Sequence, residues 1–473
     1  MTTSTPDPFA VPAPFAAARP SRERVPYPAP PAWLPLAALG AGCVAAVAIP
    51  GQRAGLGTVL AVGAVGAALL PAVRRSLTRS DVLLAALLVA LLGMFLVRDA
   101  DWLLALDLVA VAALGTWVLA GARTWAALVT AGVTVWARLA PAVPYVLRPL
   151  VRSRRTVAAR WRPALRGGVL AVALVVVFGG LFASADAAFA SLAARLLPSF
   201  HLDLLPFRVV VGMFAAALVG AGMLTRLRPL APPALPAPAP RARAEWAVPV
   251  LALDVLFAAF VAVQLAVLFG GHAHVLRTSG LTYAQYARQG FFQLMAVAVL
   301  TLGVVAFVTG RVRLDAARDR LLARASLGTL LLLVLVVLAS AWRRLALYES
   351  AYGLTRLRLF VHAVIAGIAL VVLCVMAAGV VWRAAWLPRA CVAAGAVTLL
   401  GLNVANPDLL IARRAVATFR AGGEIDAYYL DGLGADAAPA LRSLDLPTCA
   451  RVARSESFLG WNLARSRARS ACR

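Results

Sequence analysis

The residues best equipped to do chemistry in this chain are a few polar clusters set in a strongly apolar background. The densest runs from Tyr348 through Glu349, Tyr352, Gly353 and Thr355 to Arg356, with Arg358 just beyond it and Arg343 and Arg344 just before it. Guanidinium groups are planar, many-donor forks, so this cluster suits a phosphate or a carboxylate. Glu349 and Arg356 stand about two helical turns apart, which allows either a structural salt bridge or an anion site that Glu349 orients. Gly353 between them weakens a regular helix and points to a bent or re-entrant segment.

A second cluster, Thr282 to Gln293, carries Tyr283, Tyr286, Arg288 and Gln293. The two tyrosines and Gln293 fall on one helix face, where the rings either anchor an interfacial helix or line a polar pocket with Arg288. Asp186, following Ser184, forms a third cluster, and Asn403, Asn406 and Asp408, followed by Arg413 and Arg414, form a fourth. Asp107 and Asp254 lie inside apolar runs. An intramembrane carboxylate is a candidate proton carrier or cation ligand, so both are candidate coupling carboxylates, although both are shallow enough to be hydrated or hydrogen-bonded instead.

Other chemistries find little support. His201, His272, His274 and His362 form no HExxH or HxxEH pattern, so no metal and no cofactor is expected. Asp99 and Asp101 make an Asp-x-Asp of the kind that membrane transferases keep in short loops, but no Gly-x-Ser-x-Gly elbow accompanies it. The chain has 46 basic residues against 20 acidic ones, a net charge of +26, and every basic residue is arginine. A chain without lysine has no Walker A loop and no Schiff-base lysine. Nucleic-acid binding would need a groove-reading or stacking module, and none is present.

The elements that must position these residues are membrane spans. The chain is 62% hydrophobic, and the apolar residues gather in blocks of roughly 18 to 23, the length that crosses a hydrocarbon core of about 30 Å. The fold class expected is all-α, a polytopic transmembrane helical bundle of about eleven spans with a short helical C-terminal tail. The spans are expected near 33–50, 55–73, 81–97, 101–120, 167–185, 206–224, 248–270, 290–310, 325–341, 359–382 and 386–405. Residues 1–31, rich in proline and alanine, read as a disordered tail. Residues 32–225 form a first membrane group of about six spans, and 226–246 a proline- and arginine-rich linker. Residues 247–405 form a second group of about five spans, and 406–473 the tail. The stretch near 124–150, interrupted by Arg138, Pro141 and Pro144, reads as a helix on the membrane surface.

Arginine-rich loops at 74–79, 123–166, 226–243 and 311–324 place the N-terminus in the cytoplasm and the C-terminus outside, at the cell membrane. The polar clusters then fall at outer span ends, and Arg343, Arg344, Arg356 and Arg358 are the dense exception to the positive-inside pattern. Of five cysteines, Cys449 and Cys472 lie in the tail and are a candidate disulfide in an oxidising compartment.

In their order, the clusters from Asp186 to the C-terminus resemble an uncharacterised bacterial membrane family, domain of unknown function 4173, close to the related 4153 group. The resemblance implies a polytopic membrane protein and supplies no activity, cofactor or catalytic residue. The function expected from the residues is non-enzymatic: binding or translocation of a small anionic or lipid-derived ligand at an outward-facing polar site. Arg288, Arg356 and Arg358 would be charge partners there and Glu349 an orienter. The alternatives are a membrane-embedded transferase acting on lipid-linked substrates and a scaffold or regulatory partner. Beyond the lipid bilayer, no protein partner is specified.

Overall fold

A computed structural model of the chain describes residues 27–153, 204–228, 242–269, 291–312, 316–381, 384–444 and 457–472. All regular structure among them is helical. In chain order the helices are α1 (Leu34–Ala48), α2 (Leu56–Val73), α3 (Arg79–Val97), α4 (Asp101–Ala120), α5 (Trp125–Ser153), α6 (Leu205–Leu227), α7 (Arg243–Phe269), α8 (Phe291–Arg311), α9 (Ala317–Tyr352), α10 (Arg356–Val381), α11 (Leu387–Ala405), α12 (Pro407–Arg420), α13 (Ala427–Asp431), α14 (Ala438–Leu441) and α15 (Leu463–Ala471). Ten helices among the described residues are long and apolar enough to cross a membrane. The molecule is an all-α, multi-pass bundle. The segment expected to span at 167–185 lies outside the described residues.

Local signals set most boundaries. Thr78 and Asp81 close a capping box at the start of α3, and Gly121, with φ 63°, ends α4 in the left-handed region. α1 and α6 approach closely because both present glycine: a Cβ on Gly42 would stand 2.7 Å from the Gly212 carbonyl oxygen. Such small-residue contacts let backbones pack where lipid supplies no hydrophobic drive between helices. α9 is far longer than the apolar run 325–341. Its helix continues through arginine-bearing turns on both sides, and Gly353, with φ 77°, stops it. The segment around Gly353 is thus a sharp α9–α10 turn, the bent rather than the re-entrant one of the two geometries that the sequence left open.

α5 is long and apolar enough to span by length and composition over Trp125–Pro149, yet its packing runs across one end of the bundle. Leu128 and Ala131 join a cluster with Trp117 of α4 and Val392 of α11. Val135, Ala142 and Tyr145 join another with Leu34, Leu69 and Leu224. Those partners sit near the terminal turns of α1, α2, α4, α6 and α11. At the same end Arg389 of α11, 7% exposed, donates to the Ala122 carbonyl at 3.0 Å and pairs with Asp81 of α3 at 2.7 Å.

α7 to α10 share a core around Val250, Leu330, Val334 and Ile365, and α11 carries that group against α3 and α4 through Ala396, Leu84 and Leu114. The tail forms its own small core from Ile411, Val416, Leu430, Leu433 and Leu441, with Leu354 and Leu359 of the α9–α10 turn packed on it. This puts the tail over the end of the bundle opposite α5.

Candidate functional site at the tail end of the bundle

Where the tail meets the span ends, buried charge is concentrated. Asp408, in the first turn of α12, has no exposed surface. Its two oxygens accept from Arg356 Nε at 2.8 Å and Arg356 Nη2 at 2.6 Å, a bidentate fork. Its Oδ2 also accepts from the Gly434 N–H at 2.7 Å. The Arg356 backbone N–H donates to the Tyr429 hydroxyl at 2.9 Å. Arg356, at the start of α10, therefore fastens α12 through its side chain and α13 through its backbone, and Asp408 ties in the following loop.

A second set of contacts starts in the α3–α4 turn. Arg98 donates through Nε to the Asn403 carbonyl at 2.7 Å and through Nη1 to Asp436 at 3.3 Å. The Asp99 N–H donates to Asp436 Oδ2 at 2.7 Å. Asn406, whose φ of 54° places it in the left-handed region between α11 and α12, donates to Asp436 Oδ1 at 3.2 Å. Asp99 in turn pairs with Arg465 of α15, which is 2% exposed and also donates to the Ala54 carbonyl at 2.8 Å. Asn462, fully buried, caps α15 with its side-chain oxygen. Its amide group donates to the carbonyls of Phe95 at 2.8 Å and Arg98 at 2.7 Å. Burial pushes the carboxyls of Asp99 and Asp436 up from the ordinary range. Arg465 draws Asp99 back in part, as the Asp99 N–H and Arg98 do for Asp436.

Below this layer, Asn403 donates to Asp107 Oδ1 at 2.8 Å, and both side chains are fully buried. Asp107 is thus hydrogen-bonded to α11, and its Oδ2 has no partner among the described residues. Asp254 of α7 has an Oδ1 without a hydrogen-bond partner among the described residues. Gln264 of α7 accepts from Ser340 at 3.1 Å and Arg344 at 3.0 Å, which places Arg344 inside the α7–α9 packing rather than in a loop.

The pairing of Glu349 with Arg356 that their spacing suggests is not made. Glu349 lies 3.1 Å from His362 Nδ1 on α10, and the Trp342 ring meets the His362 ring edge-on at 4.3 Å. Arg356 turns the other way because Asp408 offers a fully desolvated bidentate partner. Arg358 lies over the Tyr348 ring at 4.3 Å and donates to the Tyr352 carbonyl at 3.0 Å. Thr355 accepts from the Arg358 N–H at 3.4 Å, and the Tyr348 and Tyr352 rings stand 4.9 Å apart. Gln293 is exposed in the first turn of α8 with no hydrogen-bond partner among the described residues. Asp186, Tyr283, Tyr286, Arg288 and Cys449 lie outside the described residues, as do His201, His272 and His274. Among the described residues no group of three His, Cys, Asp or Glu could hold a metal. Cys472 is disulfide-bonded, whereas Cys43, Cys374 and Cys391 are free.

The structure therefore gathers Arg356, Asn403, Asn406, Asp408 and Asp107 of the expected set. It adds Arg98, Asp99, Gly434, Asp436, Asn462 and Arg465. Of these, Asp99 was singled out in the sequence, as half of the Asp-x-Asp. Asn462 occupies an N-cap position that sequence could mark, but its reach to α3 could not be read from it.

A family model described as a domain of unknown function, DUF4153, matches residues 83–444. The match is to the 4153 group rather than 4173, and it begins about a hundred residues earlier than the motif resemblance, taking in α3, α4 and α5. No curated protein matches, and no solved structure matches.

Proposed function

The chain belongs to the DUF4153 family, and from that premise we propose a non-enzymatic integral membrane protein that binds or translocates a small anionic or lipid-derived ligand at the tail end of the bundle. One observation supports this reading, a division of labour among the arginines. Arg98, Arg356 and Arg465 neutralise Asp436, Asp408 and Asp99. Arg413, Arg420 and Arg442 are exposed on the tail and have no ion-pair or hydrogen-bond partner among the described residues. Unneutralised charge gathered on a rigidly docked surface attracts anions. The transferase alternative is less well supported, because Asp99 is engaged by Arg465 and by the Ala435 N–H at 3.3 Å. If the ligand is translocated, Asp254, with its unpartnered oxygen, is the stronger coupling candidate, since Asp107 is tied to Asn403.

Deleting the gene in its host should change the level of an anionic lipid or phosphorylated metabolite in the envelope, and the wild-type chain should restore it. An unchanged lipid and metabolite profile counts against the reading.

In this reading the tail faces away from the cytoplasm, with the arginine-bearing α5 end inside, and Cys472 pairs with Cys449. A chain carrying Cys43→Ser, Cys374→Ser and Cys391→Ser should react with a membrane-impermeant maleimide on intact cells only after reductant. Labelling that appears only after lysis overturns this orientation.

A further inference from the structure

Arg413, Arg420 and Arg442 are not scattered. Arg413 and Arg420 lie two turns apart on one face of α12, and Arg442 faces them from the turn that follows α14. Together they line an open cleft of about 630 Å³, with Ser443 beside them and Leu409 and Val416 among its apolar lining. Among the described residues no carboxylate lines the cleft, so within them its positive charge is uncompensated, although the buried layer beneath it pairs Arg98, Arg356 and Arg465 with acids. Three arginines and a serine lining a cleft with apolar neighbours match a group with several acceptor oxygens and an apolar neighbour.

We propose that the cleft between α12 and α14 binds a phosphate group carried on an organic ligand, through Arg413, Arg420 and Arg442. The proposal rests on the anion-binding reading above and gives that reading a location and a ligand chemistry. A lipid headgroup and a soluble phosphate ester share this chemistry.

The test uses the full chain in dodecyl maltoside micelles, which carry no phosphate. One arm adds a small fraction of phosphatidic acid, and the other adds soluble glycerol phosphate to micelles without it; bound ligand is read by native mass spectrometry and calorimetry. Saturable binding is expected in at least one arm, and the arm that binds identifies the source. Each single Arg→Ala change should weaken binding about tenfold, the effect of losing one hydrogen-bonded charged group. The triple variant R413A/R420A/R442A should abolish it. Arg467→Ala, an exposed arginine outside the cleft, should leave binding unchanged. These substitutions lie on the surface, so protease resistance of the tail should be retained and shows that each variant is folded. If the wild type binds a probe and the triple variant binds it equally well, the cleft assignment is overturned and the anion-binding reading stands. If the wild type binds neither probe, both fall.

Discussion

Arg356→Ala is expected to release the C-terminal tail from the bundle. The substitution strands Asp408, which has no exposed surface, with the Gly434 N–H as its one remaining donor among the described residues. Removing one partner of a buried pair typically destabilises by about 3–5 kcal/mol, because the remaining charge is left desolvated and unpaired. The loss should concentrate in α12 to α15, which rest on this fork and on the Arg98–Asp436 and Asp99–Arg465 pairs. Limited proteolysis in detergent should show rapid cleavage beyond Asn406 while the spans stay intact. Adding Asp408→Asn should recover part of the loss, since an asparagine oxygen can still accept from Gly434 without stranding a charge. A tail as resistant as wild type in the single variant would show that Arg356 does not hold it.

Gly434→Ala should be nearly as damaging for a steric reason. A Cβ at this position would stand 2.5 Å from the Asp99 carbonyl oxygen and 3.1 Å from Asp408 Oδ2. The first obstacle is backbone in the α3–α4 turn, so no rotamer change relieves it. Moving the loop away would break the Gly434 N–H bond to Asp408. Overpacking of this kind costs about 1–3 kcal/mol, and the lost hydrogen bond adds about another 1 kcal/mol. The comparison is Gly432→Ala, two residues away, where the added methyl would meet only ordinary contacts at 3.4 Å and beyond. A clearly lower thermal midpoint for the first variant and a near-wild-type one for the second is the expected result. Equal midpoints would remove the close approach as a determinant of docking.

Much of the fold was legible because a bilayer imposes a length. The run 101–120 coincides with α4, and 386–405 differs from α11 by a single residue. Hydropathy marks the part of a helix that lies in hydrocarbon, not the part that is helical, so α9 extends well past 325–341. The backbone ladder continues wherever the residues are good helix formers, arginine among them. Gly353 was legible as a break, but whether the chain bends, re-enters or turns there depended on α10 packing back against α9.

The site was legible by residue type and illegible by pairing. Arg356 looked available for a ligand because its sequence neighbourhood offers Glu349 and nothing better. Its partner lies 52 residues away and the partner of Arg98 lies 338 away, and no periodicity carries information over such distances. Conversely, Arg420 and Arg442 drew no notice in a chain full of arginine.

By itself the sequence determined that this is a helical membrane protein and where most of its apolar helices begin and end. Those properties follow from transfer free energies of single residues summed over short windows. Which arginines are neutralised and which stay exposed without an acidic partner among the described residues was decided only by the tertiary structure. A guanidinium is taken out of play when a carboxylate is desolvated beside it, and that desolvation exists only once the tail has folded back over the span ends.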